Sequence, residues 1–197
     1  MQIAFTGSTH SPYDIPDRWK NFWKGEEAGI MNSIRYADDA LHQFLEECKK
    51  QPWFENTLFI LVADHGRTTP LNQNAIAEPY FRIPLLFWGP MIKDEYKGSE
   101  QSRICSQSDL VATLLHQMQI PSSDYPWSRD LMSPDFKEFA LYSSSLGYGW
   151  KDPDGDFFYH MEAERLVVNT FPDSLHEIKL TQCRKFVKAL WEEFKGL

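Results

Sequence analysis

The sequence of 197 residues contains only three cysteines, and they are widely separated at Cys48, Cys105 and Cys183. Thiols so few and so scattered build neither a disulfide framework nor a zinc knuckle. No apolar run approaches the ~20 residues that a helix needs to cross a bilayer. The first residues also lack a basic segment followed by an apolar one. We therefore expect neither a transmembrane segment nor a signal peptide within this sequence.

An excess of positive charge is also lacking. Lys and Arg number 20 against 28 Asp and Glu, which gives a formal net charge of -8. Because no Lys/Arg block is present to neutralise phosphates, we expect no nucleic-acid partner. Hydrophobic residues make up 42% of the chain and aromatic residues 15%. This composition is typical of a globular protein and predicts a single domain over residues 1–197.

The hydrophobic pattern predicts an α/β fold. Apolar runs predict strands at residues 2–7, 57–63 and 83–90. The second run is continuously apolar, which favours a strand of a parallel sheet that is covered on both faces. Apolar residues at three- and four-residue steps predict helices at residues 26–50, 106–120 and 174–197. Two further runs, 135–145 and 156–169, flank an Asp-Pro-Asp-Gly turn signal and predict an antiparallel pair.

The second predicted strand ends in an Asp64-His65-Gly66 step. Ligands of open α/β sheets bind beyond the carboxyl ends of the strands. A turn at Asp64 can bring both side chains to one ion, and Gly66 would relieve the crowding. An Asp oxygen beside a His nitrogen suits zinc or manganese, whereas magnesium and calcium prefer oxygen alone. The alternative is that Asp64 caps the turn and His65 packs against the protein.

The stretch NTLFILVADHG, residues 56–66, resembles the metal-binding strand of the alkaline phosphatase superfamily. The likeness is strongest to the sulfatase branch that includes the lipoteichoic acid synthase-like phosphoglycerol transferases. The stretch TGSTHSPYDIP, residues 6–16, resembles the strand and turn that carry a histidine for the substrate phosphate. Other segments, as far as WSRDLM at residues 127–132, follow in the order of the family. The resemblance covers about residues 3–132, and residues 133–197 match only loosely.

The resemblance implies roles for three residues. Asp64 and His65 would be ligands of a single divalent ion, manganese first, with zinc, magnesium or calcium as alternatives. His10 would contact the phosphate or sulfate of the substrate. Independently of the resemblance, the forked N–H groups of Arg67 suit bidentate binding of such an anion. A turn histidine held by the backbone is the alternative for His10, and a salt bridge is the alternative for Arg67.

The nucleophile of the family, a threonine or a modified cysteine or serine, lies upstream of the segment that matches residues 6–16. The resemblance therefore implies that this chain is the C-terminal portion of such an enzyme, contains no catalytic nucleophile and is inactive alone. Its partners would be the missing N-terminal part of the enzyme and a phosphate or sulfate ester of a lipid headgroup or glycan. The parent enzyme would act outside the cytoplasm, in the periplasm or at the cell surface.

The fold implied is a mixed, largely parallel sheet sandwiched by helices, of the alkaline phosphatase and sulfatase type. It would be incomplete at its N-terminal side and would end in an antiparallel strand pair and a helix. The alternative function is that of a non-catalytic, truncated paralogue that binds an anion or self-associates. Such a paralogue would form a homodimer through an exposed sheet edge at residues 2–7.

Other polar residues carry weaker signals. His42, His116 and His176 lie on predicted helices without acidic partners at ligand spacing, so we expect surface or core roles. His160 and Glu162 alternate onto one face of a predicted strand, which is typical of a solvated face. The hydroxyl residues near the expected metal are Thr6, Ser8, Thr9, Thr68 and Thr69. No motif marks any of these hydroxyls as a substitute nucleophile.

Overall fold

A computed structural model describes residues 1–68 and 74–196 of the chain. The chain forms two compact units. The first consists of Met1–Ile60 and Phe87–Lys97, and the second of Leu61–Leu86 and Gly98–Leu197. The single domain over residues 1–197 stays a prediction. None of the helices in the described ranges combines the length and apolar character that crossing a membrane requires.

The described residues form an α/β structure. The helices are α1 (Ala28–Cys48), α2 (Glu78–Phe81), α3 (Asp109–Gln117) and α4 (Asp173–Gly196). The strands are β1 (Phe59–Val62), β2 (Leu85–Trp88), β3 (Ala140–Ser144), β4 (Gly147–Asp152), β5 (Gly155–His160) and β6 (Arg165–Asn169). All three predicted long helices are confirmed, and so are the predicted strands at residues 57–63 and 83–90, each over a somewhat shorter span.

In the first unit, α1 holds the preceding segment through a buried amide. The Asn32 side chain is 2% exposed. Its oxygen accepts from the Trp23 backbone N–H at 2.8 Å, and its nitrogen donates to the Lys20 carbonyl at 2.9 Å. A buried amide that is satisfied on both sides fixes backbone position, because any movement would leave polar groups unpaired.

The predicted strand at residues 2–7 is absent. The side chains of Ile3 and Phe5 are 80% and 83% exposed. Strand backbone needs a neighbouring strand to satisfy its N–H and C=O groups. None of the strands in residues 1–68 and 74–196 pairs with this segment. The alternation of apolar residues marked a sequence suited to a strand, but a strand forms only where a partner is present.

The largely parallel sheet is not confirmed in the described part of the chain. Strands β3 to β6 form one sheet in sequence order and are antiparallel throughout. Strands β1 and β2 form a second sheet of two strands. The Ala63 N–H, just after β1, donates to the carbonyl of Pro84, just before β2, at 3.4 Å. This contact joins the end of one strand to the start of the next, which is an antiparallel arrangement.

The predicted C-terminal strand pair is a four-stranded meander. The Asp-Pro-Asp-Gly turn joins β4 to β5, and β4 was not predicted because its glycines weaken the strand signal. Pairing requires those glycines. A Cβ on Gly149 would lie 2.1 Å from the Tyr142 ring, and a Cβ on Gly147 would lie 2.0 Å from the Tyr159 carbonyl oxygen. Glycine therefore permits close packing here instead of marking a loop.

The core of the second unit lies between this sheet and α4. Its buried members are Trp150, Phe157, Phe171, Leu180 and Cys183. The Trp150 ring stacks on Phe139 with centroids 4.4 Å apart. Burial of these large side chains supplies the main stabilisation of the unit, on the order of 2 kcal/mol for each fully buried large side chain.

Candidate metal centre

Asp64 and His65 follow directly after β1 and lie side by side. The Asp64 Oδ1 accepts the His65 backbone N–H at 2.9 Å. The other carboxylate oxygen, Oδ2, lies 3.7 Å from the His65 Nε2. The turn therefore brings one carboxylate oxygen and one imidazole nitrogen together, as the sequence predicted. Two ligands of one zinc ion lie about 3.3 Å apart in tetrahedral geometry, so the pair needs only a small closure to share an ion.

The orientation of His65 suits a metal ligand. Its Nδ1 lies 2.7 Å from the Gly66 carbonyl oxygen, which can only accept a hydrogen bond. The ring proton is therefore assigned to Nδ1, which leaves the lone pair on Nε2 for a ligand. Ligating histidines are commonly oriented by such a bond to a carbonyl.

Both side chains are open to solvent. The Asp64 side chain is 57% exposed and the His65 side chain 73%. The alternative in which His65 packs against the protein is therefore wrong. The alternative for Asp64 is present in part, because its Oδ1 holds the adjacent N–H while Oδ2 stays available to a ligand.

Two contacts fix the backbone around this pair. A Cβ on Gly66 would lie 1.7 Å from the Tyr80 carbonyl oxygen, so only glycine allows this approach. The Gln107 side chain donates to the Ala63 carbonyl at 2.7 Å, at the residue before Asp64. Sequence analysis missed Gln107, because its partner lies 44 residues away and no local pattern signals the bond.

The donor set is half of a metal site. Within residues 1–68 and 74–196, no group of three or more His, Cys, Asp or Glu side chains could hold an ion together. Catalytic zinc sites usually use three protein ligands and structural ones four. One carboxylate and one imidazole fit zinc or manganese as part of such a set.

The two expected anion-binding residues lie in different units. His10 belongs to the first unit, where its Nδ1 lies 2.7 Å from the Ser11 carbonyl oxygen. This bond matches the turn-histidine alternative at Nδ1 and leaves Nε2 for a ligand. Arg67 belongs to the second unit and is exposed, two residues beyond His65. Their contacts with substrate stay a prediction.

A cleft adjoins the turn that carries His10. It has a volume of about 420 Å³ and is lined in part by Tyr13, Ile15 and Gly29. A Cβ on Gly29 would lie 2.7 Å from the Tyr13 ring, so glycine allows α1 to approach this turn.

Of the hydroxyl residues considered as nucleophiles, Thr68 is exposed and Thr69 lies outside the described residues.

Comparisons with known proteins identify the family of the chain. The sequence model of the Sulfatase family matches residues 1–120, which is more than half of the chain. The lipoteichoic acid synthase-like protein YvgJ of Bacillus subtilis is 24% identical over 155 residues, or 69% of this chain and 25% of that protein. The lipoteichoic acid synthase of Staphylococcus saprophyticus is 25% identical over 142 residues, or 66% of this chain and 22% of that protein.

A solved structure supports the same relationship. It is that of a protein in the alkaline phosphatase superfamily from Vibrio parahaemolyticus, with a TM-score of 0.67 and 26% identity. The match covers 87% of this chain and 44% of that chain. The chain thus spans about a quarter of the length of the curated relatives it matches. On the strength of the match over residues 1–120, the chain belongs to the sulfatase family.

Proposed function

We propose that this chain is a metal- and anion-binding portion of a phosphoglycerol transferase-type enzyme of the sulfatase family. The observation that carries the proposal is the Asp64–His65 pair, in which Oδ2 lies 3.7 Å from Nε2. The similarity to lipoteichoic acid synthases favours phosphate esters over sulfate esters as substrates. Since those relatives are about four times longer than the matched region, the activity belongs to the whole enzyme.

Asp64 Oδ2 and His65 Nε2 would supply two ligands of a divalent ion, with manganese or zinc best suited to the donors. When bound, the ion would offset the negative charge that develops on the phosphoryl oxygens. Arg67 would bind phosphoryl oxygens of the ester through its forked N–H groups. A contact of the His10 Nε2 with the ester phosphate remains an expectation from the resemblance. The nucleophile would come from the portion of the enzyme that precedes residues matched to His10, so this chain alone would not turn over substrate. The whole enzyme would act outside the cytoplasm on a lipid headgroup or glycan.

The test is titration of the purified chain with Mn²⁺ and with Zn²⁺ by calorimetry. We expect one weak site that is lost in Asp64→Ala and in His65→Ala. His42→Ala is the matched control, because His42 lies on α1 and is not part of the pair. A stoichiometric ion that persists in Asp64→Ala would refute the ligand assignment. Hydrolysis of p-nitrophenyl phosphate is assayed alongside, and metal-dependent turnover would show that the chain holds its own nucleophile.

A second function, self-association without catalysis, is favoured by exposed apolar residues on the two-stranded sheet. Val62 on β1 is 41% exposed and Leu86 on β2 is 53% exposed. Exposed apolar strands favour pairing with a second copy. Sedimentation velocity over a concentration series tests this: a dimer that Leu86→Lys dissociates supports it, and a concentration-independent monomer excludes it.

A further inference from the structure

A hydrogen-bonded chain of three side chains lies on the second unit, apart from the Asp64–His65 pair in sequence. The Ser122 Oγ lies 2.9 Å from the His116 Nε2. The Nδ1 of the same ring lies 3.1 Å from the Asp130 Oδ2. We propose that Ser122, His116 and Asp130 form a nucleophilic triad that cleaves small carboxylic esters by acyl transfer to Ser122. Sequence spacing gave no sign of this contact, because Asp130 lies 14 residues from His116.

The order of the contacts is that of a nucleophile, a base and a group that orients the base. A carboxylate accepts hydrogen bonds, so Asp130 fixes the His116 proton on Nδ1. The Nε2 lone pair is then the acceptor for the Ser122 hydroxyl. Serine, imidazole and carboxylate in this order activate a hydroxyl on unrelated folds, so geometry identifies them and sequence position does not.

Asp130 is held in place before any substrate arrives. Its second oxygen, Oδ1, accepts the Met132 backbone N–H at 2.9 Å. The residues before and after Asp130 are also held by their backbone N–H groups. Arg129 donates to the Asp109 carboxylate and Leu131 donates to Thr113 Oγ1, each at 2.9 Å. The Asp130 side chain is only 15% exposed. A carboxylate fixed in this way keeps its partner imidazole in one tautomer and one orientation, which is what preorganised catalysis requires.

Ser122 lies in a turn and is partly exposed. Its carbonyl accepts the Tyr125 backbone N–H at 2.9 Å, which closes the turn. Within the described ranges the Ser122 backbone N–H donates to no protein group, so it is available to a substrate oxygen. The amide of the nucleophile itself is one donor that stabilises the oxyanion in serine hydrolases.

The surroundings indicate the class of substrate. The His116 side chain is 44% exposed, so the triad is open and encloses no large ligand. Ile120 and Tyr125, near Ser122 in the chain, are 42% and 49% exposed and offer apolar surface to an acyl group. Short acyl esters of a good leaving group suit such a shallow site, because little binding energy is available for longer substrates.

The reaction balances with water as the only co-reactant. The Ser122 Oγ attacks the ester carbonyl carbon, and its proton passes to the His116 Nε2. The bond to the alcohol oxygen then breaks, and His116 returns the proton to that oxygen. Water attacks the acyl-Ser122 ester with His116 as base, which releases the carboxylic acid and restores the serine.

The experiment is covalent labelling with diisopropyl fluorophosphate, followed by intact-mass and peptide-mapping mass spectrometry. Ser122 displaces fluoride in this reaction, and the serine proton passes to His116. Ser123→Ala is the matched control, since that neighbouring exposed hydroxyl has no contact with His116. We expect one adduct at Ser122 in the unsubstituted chain and in Ser123→Ala, and none in Ser122→Ala. His116→Gln should slow labelling by at least about 100-fold.

A second variant separates catalysis from folding. Asp130→Asn keeps an oxygen for the Met132 N–H but can no longer hold the proton of His116 on Nδ1. We expect Asp130→Asn to be labelled more slowly than the unsubstituted chain and to keep its melting temperature. Hydrolysis of p-nitrophenyl acetate should rank the variants in the same order as labelling does. Labelling that is absent, equal at Ser122 and Ser123, or unchanged in His116→Gln would overturn the triad. Since none of these residues contacts the Asp64–His65 pair, the outcome is independent of the metal titration.

Discussion

The buried ion pair between Asp109 and Arg129 allows a quantitative prediction. The Asp109 carboxylate is fully buried, at 0% exposure. It accepts the Ser106 backbone N–H at 2.8 Å, the Arg129 backbone N–H at 2.9 Å and the Arg129 Nε at 2.8 Å, and it also pairs with the Arg129 Nη2. The guanidinium also donates hydrogen bonds to the carbonyls of Lys137 and Phe139, just before β3. One carboxylate thus joins the start of α3 to two later segments.

Asp109→Ala should destabilise the second unit strongly. The change removes the acceptor of two backbone N–H groups and of two N–H groups of the mostly buried Arg129 guanidinium. Breaking a buried pair by removing one partner costs about 3–5 kcal/mol. For a chain of this size each kcal/mol lowers the melting temperature by about 2–4 °C. We therefore expect a fall of roughly 6–20 °C, followed by far-UV circular dichroism and checked by urea unfolding.

Two further variants serve as controls for the predicted loss of stability. Asp94→Ala removes an exposed carboxylate that pairs with Lys97, and it should leave the melting temperature unchanged. Replacing both partners, as Asp109→Leu with Arg129→Met, should recover much of the loss because no charge is then left buried. If Asp109→Ala unfolds no earlier than Asp94→Ala, the ion pair does not hold these segments together, and the argument from burial fails.

Two other predictions follow from close contacts in the second unit. Gly66→Ala should cost about 1–3 kcal/mol of unfolding free energy, because its methyl group would overlap the Tyr80 carbonyl, whereas Gly7→Ala meets nothing within 4 Å and should be neutral in urea unfolding. Burial acts to lower the pKa of Lys179, but hydrogen bonds to Asp152 and Asp154 outweigh it and raise the pKa. The stabilisation from these hydrogen-bonded ion pairs is therefore fully present below the unfolded lysine pKa of about 10.4. It is lost as the pH rises through the pKa that Lys179 has in the folded chain. Lys179→Met should lower the melting temperature at pH 8 and lower it less at pH 11, and an equal effect at both would contradict this sign.

The sequence predicted those features that depend on neighbouring residues. Helix α1 follows from a regular apolar spacing, and the turn at Asp64 and His65 follows from the glycine beside them. The structure places both as expected, because 3.6-residue periodicity and turn geometry are local properties. The His65 tautomer is likewise set by the next carbonyl along the chain.

Features that depend on distant partners were missed. Strand β4 was overlooked because glycine lowers strand propensity. The adjacent strands nevertheless require glycine there, since Tyr142 lies against Gly149 and Tyr159 against Gly147. The segment at residues 2–7 has the alternation of a strand but finds no partner among the described strands. Pairing is a property of two segments, so a pattern in one of them predicts suitability only.

Helix α3 supports the Asp64–His65 pair and the proposed triad in different ways. Gln107, which precedes the helix, reaches the carbonyl of Ala63, beside Asp64. The last turn of the helix carries His116. The Asp64–His65 contact is made within one turn of the chain, so it needs little from α3. The contact of His116 with Asp130 joins residues that lie 14 positions apart. It relies on Arg129, the residue before Asp130, because the Arg129 backbone is bonded to Asp109. Loss of the Asp109–Arg129 pair should therefore separate His116 from Asp130 while Asp64 and His65 stay together, so Ser122 labelling should fail in Asp109→Ala before metal binding does.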